Sequence, residues 1–194
     1  AYCTTDYHEL LDDPKIDVIL VSTRHHLHAR MASEALSLGK HVFVEKPLAV
    51  NHEHLAKFMK AVPHWENDSR DGGDRANLGG DPLGVNCRPP QVLVGFNRRF
   101  APTTRWLKER MAGVPDPLSV HCTVNAGPIP SDHWVRDPVE GGGRVISELC
   151  HFVDLIQYLS GSVPVRVQSE YLSAEGYAPG DNLAVTLRMA NGAM

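Results

Sequence analysis

No G-x-G-x-x-G stretch stands between a strand and a helix anywhere in the 194 residues. The nearest approach, "GGDPLGVNC", lies in a Gly, Asp, Asn and Pro-rich stretch with no helix behind it. The backbone cradle that holds a pyrophosphate is therefore not among these residues. Positive charge is not in excess either: a net charge of -4 and a pI near 6.3 leave no basic footprint, which excludes nucleic acid as a partner. No apolar run approaches the roughly 18 residues of a membrane span, and the first residues carry no signal-peptide pattern. Cysteine is sparse, four residues with no C-x-x-C pair, so neither a zinc ribbon nor a disulfide framework is expected. A reducing, cytoplasmic setting fits that usage. His25, His26 and His28 cluster, but no Cys or carboxylate set with ligand spacing accompanies them, and no metal is expected.

What is present has the composition of a globular protein, 42% hydrophobic and 22% charged. "DYHELLDDPKIDVILVST" gives a short helix and then a strand from Ile16 to Ser22, apolar nearly throughout, as suits a parallel strand covered on both faces. From His28 the apolar positions Met31, Ala32, Ala35 and Leu38 recur at helical spacing, and Gly39 is placed to close that helix. His41 to Val44 is the next strand. Asn51 is placed to cap a further helix whose stripe is Leu55, Phe58, Met59 and Val62. Residues 63–90 have no apolar period and are expected to form a flexible surface insertion. "QVLVGF" resumes as a strand, and a helix follows from Thr103 to Met111.

After Pro117 the period changes. "LSVHCTVNAG" alternates, with Val120, Cys122 and Val124 on one face. A helix is expected from Arg144 to Leu159 with core positions Val145, Leu149, Phe152, Val153 and Ile156. Strands Val165 to Tyr171 and Leu183 to Met189 follow, and Asn191-Gly192 is a hairpin signal. The expected fold is α/β: a doubly wound parallel sheet over 1–100, then an α+β domain with a mainly antiparallel open sheet over 101–194. Both ends of the sequence are expected to be cut from a longer protein.

In a doubly wound sheet, ligands bind beyond the carboxyl ends of the strands. Three such ends carry polar segments here: "STRHHLH", "EKP" and "NRRF". Pro47 fixes its own φ and biases Lys46 toward extended backbone, which holds the lysine at the rim. A surface ion pair at a strand end is the plainer alternative for that lysine.

These segments together, "VILVSTRHHLHARMASEALSLGKHVFVEKPLAV", "VGFNRRFAP", "HWVRDPVEGGGRVISELCHFVDLIQYLSG" and "DNLAVTLRMANG", resemble the Gfo/Idh/MocA oxidoreductases. The second half is most similar to the branch associated with zinc-type alcohol dehydrogenase domains in polysaccharide pathways. The resemblance implies a partial Rossmann domain binding NAD or NADP, without its phosphate-holding unit. The α+β domain would supply the substrate wall and, through its sheet, a homo-oligomer contact. It implies that Lys46 polarises a sugar or cyclitol hydroxyl and that His151 trades its proton. Ser22, Thr23, Arg24, His28, Glu45, Lys46 and Pro47 fall on cofactor-contacting positions. Many family members carry Asp four residues before the histidine; here Ser147 stands there with Glu148 beside it. Glu148 either takes over the carboxylate role or is a structural ion-pair residue. Arg98, Trp134, Arg136 and Asp154 are candidate substrate contacts, with loop anchoring the alternative for Trp134 and Arg136. Two other functions stay open: an NAD-dependent glycosidase of the same family, and a non-catalytic assembly or binding module.

Overall fold

The computed structural model of the chain describes residues 2–62, 89–114, 116–172 and 182–194. The expected insertion falls almost wholly outside the described residues. The first half is helix α1 (His8–Asp12), strand β1 (Val18–Val21), helix α2 (His25–Ser37), strand β2 (His41–Val44), helix α3 (His52–Ala61) and strand β3 (Val92–Val94). β1, β2 and β3 are all parallel, in that order. Their register puts Ile19, Val42 and Val92 side by side, and likewise Val21, Val44 and Val94. This is the face that α2 and α3 cover, and the core is built on it from Leu11, Val21, Ala29, Ala32, Ala35, Leu36, Val42, Val44 and Phe58.

Two expectations need correction here. β1 is shorter than the run from Ile16 to Ser22, because the chain is still turning at Ile16, whose N–H donates to the Asp13 carbonyl. It is also not covered on both faces: Val18 is 58%, Leu20 68% and Leu93 53% exposed. These residues alternate with the buried ones, so the bare side is the second face of the same parallel sheet. Along α3, Phe58 is buried but Leu55 and Met59 are exposed, so the expected four-residue stripe reaches the core through a narrower contact.

α2 presents Ala29, Ala32 and Ala35 to the sheet, small side chains that let the helix backbone come close. It ends in a Schellman turn. Gly39 adopts φ +78°, its N–H donates to the Leu36 carbonyl, and the Lys40 N–H donates back to Ala35. The Lys40 ammonium is buried against the Asp13 and Ile16 carbonyls, at 2.8 and 2.6 Å, tying the helix end to the turn before β1. At the start of α3 the Asn51 side chain accepts the His54 N–H at 2.8 Å, as an N-cap should.

The second half begins with a 3₁₀ turn (Asn97–Phe100) and helix α4 (Pro102–Met111). A single helix from Arg144 was expected. The structure instead has a π-helical segment (Val145–Leu149) running into helix α5 (Cys150–Ser160). The apolar stripe is only half-buried, while Ser147, His151 and Asp154 are buried, so this helix turns a polar face inward. Strands β4 (Pro164–Tyr171) and β5 (Leu183–Met189) pair antiparallel. The alternating stretch after Pro117 forms no strand: Cys122 and Val124 are exposed. Its backbone is tied through Leu118 and Val120 to Met194, and at its end the Gly127 carbonyl accepts from Arg144. Alternation makes a strand only where a partner ladder runs alongside. Asn191-Gly192 forms the expected turn, with Gly192 at φ +89°. The architecture is thus α/β, with a parallel Rossmann-like sheet first and an antiparallel sheet after it.

Substituting Asn51→Ala should lower the unfolding free energy by about 1 kcal/mol, read as a fall in the urea midpoint at unchanged slope. An unchanged midpoint would mean that the cap contributes nothing.

Candidate functional site

Because β1, β2 and β3 run parallel, their carboxyl ends open on one edge, and the three polar segments meet there. Ser22, Thr23 and Arg24 are exposed after β1, and Glu45 is exposed after β2. Gly95, after β3, leaves room for Glu45: a Cβ there would lie 3.2 Å from the Glu45 Oε2 and 3.1 Å from the Phe43 ring. His28 and Pro47 are buried beneath the edge. The His28 ring nitrogens lie 2.9 Å from the Pro47 carbonyl and 3.0 Å from the Thr23 carbonyl, so the ring sits between the turns that follow β2 and β1. The Lys46–Pro47 peptide is cis.

Lys46 leaves this edge and crosses to the second half. Its ammonium donates to the Ser147 carbonyl at 2.9 Å and stands 3.5 Å from the Glu148 Oε1, with the side chain 18% exposed. The acceptor lies within the π-helical turn Val145–Leu149, a kind of turn that recurs at functional sites. No side-chain letter encodes that acceptor, and sequence reasoning missed it. Glu148 reaches the lysine and makes no hydrogen bond to His151.

His151, one turn further along, is buried, and its Nδ1 has no hydrogen-bond partner among the described residues. A buried ring nitrogen left unpaired costs on the order of 1–3 kcal/mol, so it stands out. Burial, and then the charges of Lys46 and Arg98, push its pKa down; Glu148 and Glu45 oppose them. The imidazole is thereby kept neutral. Phe96 meets the ring edge-on, with centroids 6.2 Å apart.

The remaining candidates are mostly held by the protein itself. Asp154 is gripped by Arg99 through two bonds, one of 3.0 Å from Nε, and that pairing raises the arginine's pKa. Arg98 lies over the Phe152 ring at 4.6 Å. Arg24 donates to Glu140 at 3.1 Å and lies 4.7 Å over the Trp134 ring, while the Arg136 Nε donates to the Ile129 carbonyl. Arg24, Trp134, Arg136 and Glu140 line a separate cavity of about 510 Å³ that includes neither Lys46 nor His151.

Two glycines of the "GGG" run pack closely against protein. A Cβ on Gly141 would fall 2.3 Å from the Val135 carbonyl oxygen, and one on Gly142 2.9 Å from the Val50 Cβ. His25 and Glu140 are the side chains that composition and spacing did not single out for the loop contact. The His25 Nδ1 sits 2.9 Å from the Gly141 carbonyl. Among the described residues no group of three His, Cys, Asp or Glu side chains is arranged to hold a metal ion, and no helix is long and apolar enough to cross a membrane.

Two family models match this chain. Residues 1–66 match the oxidoreductase family with an NAD-binding Rossmann fold, and residues 105–194 match the GFO/IDH/MocA C-terminal domain. The chain belongs to the Gfo/Idh/MocA oxidoreductase family. The oxidoreductase YrbE of Bacillus subtilis is 29% identical over all of this chain and 51% of its own length. The solved myo-inositol dehydrogenase of Lactobacillus casei, in complex with NAD(H) and myo-inositol, is 25% identical with a TM-score of 0.68 over 100% of this chain and 50% of that one. A levoglucosan dehydrogenase in complex with NADH and levoglucosan, also 25% identical, gives a TM-score of 0.69 over 98% of this chain and 49% of that one. The chain spans about half the length of the curated relatives it matches.

The two histidines whose pKa burial lowers, His25 and His151, contribute to the loss of stability in acid. Each is neutral in the fold below the pH at which an unfolded histidine takes a proton. Stability should therefore fall as pH drops below the ordinary value of 6.5, and the loss is complete once pH passes the lowered folded values. Urea unfolding at pH 7.5 and at pH 5.5 checks this. Replacing Lys46→Met removes a nearby positive charge and should raise the His151 titration measured by ring NMR; a further fall would contradict the arrangement.

Proposed function

We propose that this chain carries the reaction edge of an NAD(P)-dependent oxidoreductase acting on a hydroxyl of a sugar or cyclitol. The observation that carries this is the meeting of the Lys46 ammonium with the turn that bears Glu148 and leads to His151, on the open edge of a parallel sheet. Ser22, Thr23, Arg24, Glu45 and Lys46 line that edge and would hold the nicotinamide end of the cofactor, which supplies hydride transfer when bound. His28 and Pro47 support it from beneath.

The residues divide the remaining work. Lys46, fixed by a carbonyl and a carboxylate, presents a positive charge to the substrate oxygen and favours the alkoxide that develops there. His151, neutral and with an unpaired nitrogen, is set to take the hydroxyl proton. Glu148 keeps the ammonium oriented, and Asp154 with Arg99 stiffens α5 rather than touching substrate. Relatives named for inositol and levoglucosan support the substrate class. We propose further that the protein works in a reducing cytoplasm, that its halves divide near residue 100, and that the branch beside zinc-type alcohol dehydrogenase domains is its place in the family. The open side of β4, where Val165, Val167 and Tyr171 are exposed, is proposed to meet a second copy.

The test is turnover of NAD or NADP by the full-length protein with a panel of sugars and cyclitols, followed by reduced-nicotinamide absorbance. Lys46→Ala and His151→Ala should each lower kcat by roughly 10²–10⁴-fold, and His151→Ala should leave cofactor affinity largely intact. Unchanged turnover in Lys46→Ala would refute the assignment.

A further inference from the structure

We propose that His25 is a positioning residue for the reaction: its ring holds the Gly141 carbonyl, and through it the turn that presents Ser147 and Glu148 to Lys46. The proposal rests on the roles given above to Lys46 and His151.

Three contacts dock the loop over residues 131–143 on the first turn of α2. The His26 N–H donates to the Glu140 carbonyl at 3.1 Å, Arg24 pairs with the Glu140 carboxylate at 3.1 Å, and the His25 Nδ1 lies 2.9 Å from the Gly141 carbonyl. The Arg24 pair is about half exposed on both sides and contributes little. The His26 contact is backbone and independent of side chain. His25 is buried, so its bond forms where a side-chain contact counts most.

Backbone packs closely around Gly141. Val135 closes in on one side of the run and Val50, four residues after Lys46, on the other. Immediately beyond come Gly143, Arg144 and the π-helical turn. A shift of the Gly141 carbonyl would therefore be passed directly to Ser147 and Glu148. The ring also stands edge-on to Trp134, centroids 4.6 Å apart, which seats the 3₁₀ turn Trp134–Arg136.

A carbonyl can only accept, so the bonded tautomer carries its proton on Nδ1. Burial, foremost, lowers the ring's pKa, with the charges of His28 and Lys46 acting the same way against the Gly141 bond and Glu148. The neutral Nδ1–H form is the one the site holds.

Three variants of the full-length enzyme separate this role from bulk packing. The amide of His25→Asn places an N–H near the position of Nδ1, whereas that of His25→Gln reaches toward Nε2. His25→Gln and His25→Ala should lose on the order of 10²-fold in kcat, as expected for a displacement near 1 Å, with little change in KM for the cofactor. His25→Asn should recover most of that loss. Hydrogen–deuterium exchange over 133–149 should rise about tenfold in the Gln and Ala variants and not in Asn. Equal behaviour of Asn and Gln, or unchanged exchange in Ala, would overturn the proposal. If exchange follows the expected pattern but Lys46→Ala leaves turnover intact, the role given to Lys46 fails while the His25 contact stands. In the unaltered protein, long-range proton–nitrogen spectra at pH 7 should show His25 protonated on Nδ1; protonation on Nε2 alone would refute it.

Discussion

A lysine ammonium resting on a main-chain carbonyl 101 positions later is the contact on which the rest of the structure depends. Ordering a long side chain costs up to about 2 kcal/mol of rotamer entropy, and partial burial of its charge costs more. Charge-assisted bonds to the Ser147 carbonyl and the Glu148 carboxylate offset this. Both acceptors lie in the widened turn that precedes α5. Without these contacts, Lys46 would be the exposed strand-end cation that its sequence neighbourhood equally allows.

The supporting structure is arranged around this meeting. Small alanines bring α2 against the sheet, so the turns after β1 and β2 lie close together. The two histidines of α2 that the protein buries do separate jobs. His28 lies between the Thr23 and Pro47 carbonyls beneath the edge, and His25 reaches out to the incoming loop. On α5, Asp154 is neutralised by Arg99, and Ser147 donates to the Arg144 carbonyl. That leaves His151 as the buried polar group of this face whose ring nitrogen lacks a partner. His26 and His54 also leave Nδ1 without a partner among the described residues, but on α2 and α3, so the His151 nitrogen is the one on this face proposed for chemistry.

How much of this could be seen in the letters follows from what letters encode. β2, the Gly39 stop and the Asn51 cap were legible because local pattern and local chemistry agree there. The convergence of three strand ends was legible because parallel topology follows from alternating strands and helices. Other features were hidden in tertiary context. The apolar positions of α5 suggested an ordinary amphipathic helix, whereas packing buries its polar stripe. Val120, Cys122 and Val124 alternate as a strand would, yet no adjacent ladder takes them up. The close packing of Gly141 and Gly142 against Val135 and Val50 was not legible either. Family resemblance identified Lys46 and His151 as a pair, but the atom that anchors the lysine is a carbonyl, which every residue carries.

The most direct test of the account is an NMR measurement of the Lys46 side chain in protein labelled with ¹⁵N and ¹³C. A hydrogen bond to the main chain should give a resolved, slowly exchanging Nζ signal with a through-bond coupling to the Ser147 carbonyl carbon. A fast-exchanging Nζ with no such coupling, like that of a solvent-exposed lysine, would show that the two halves do not meet at this point.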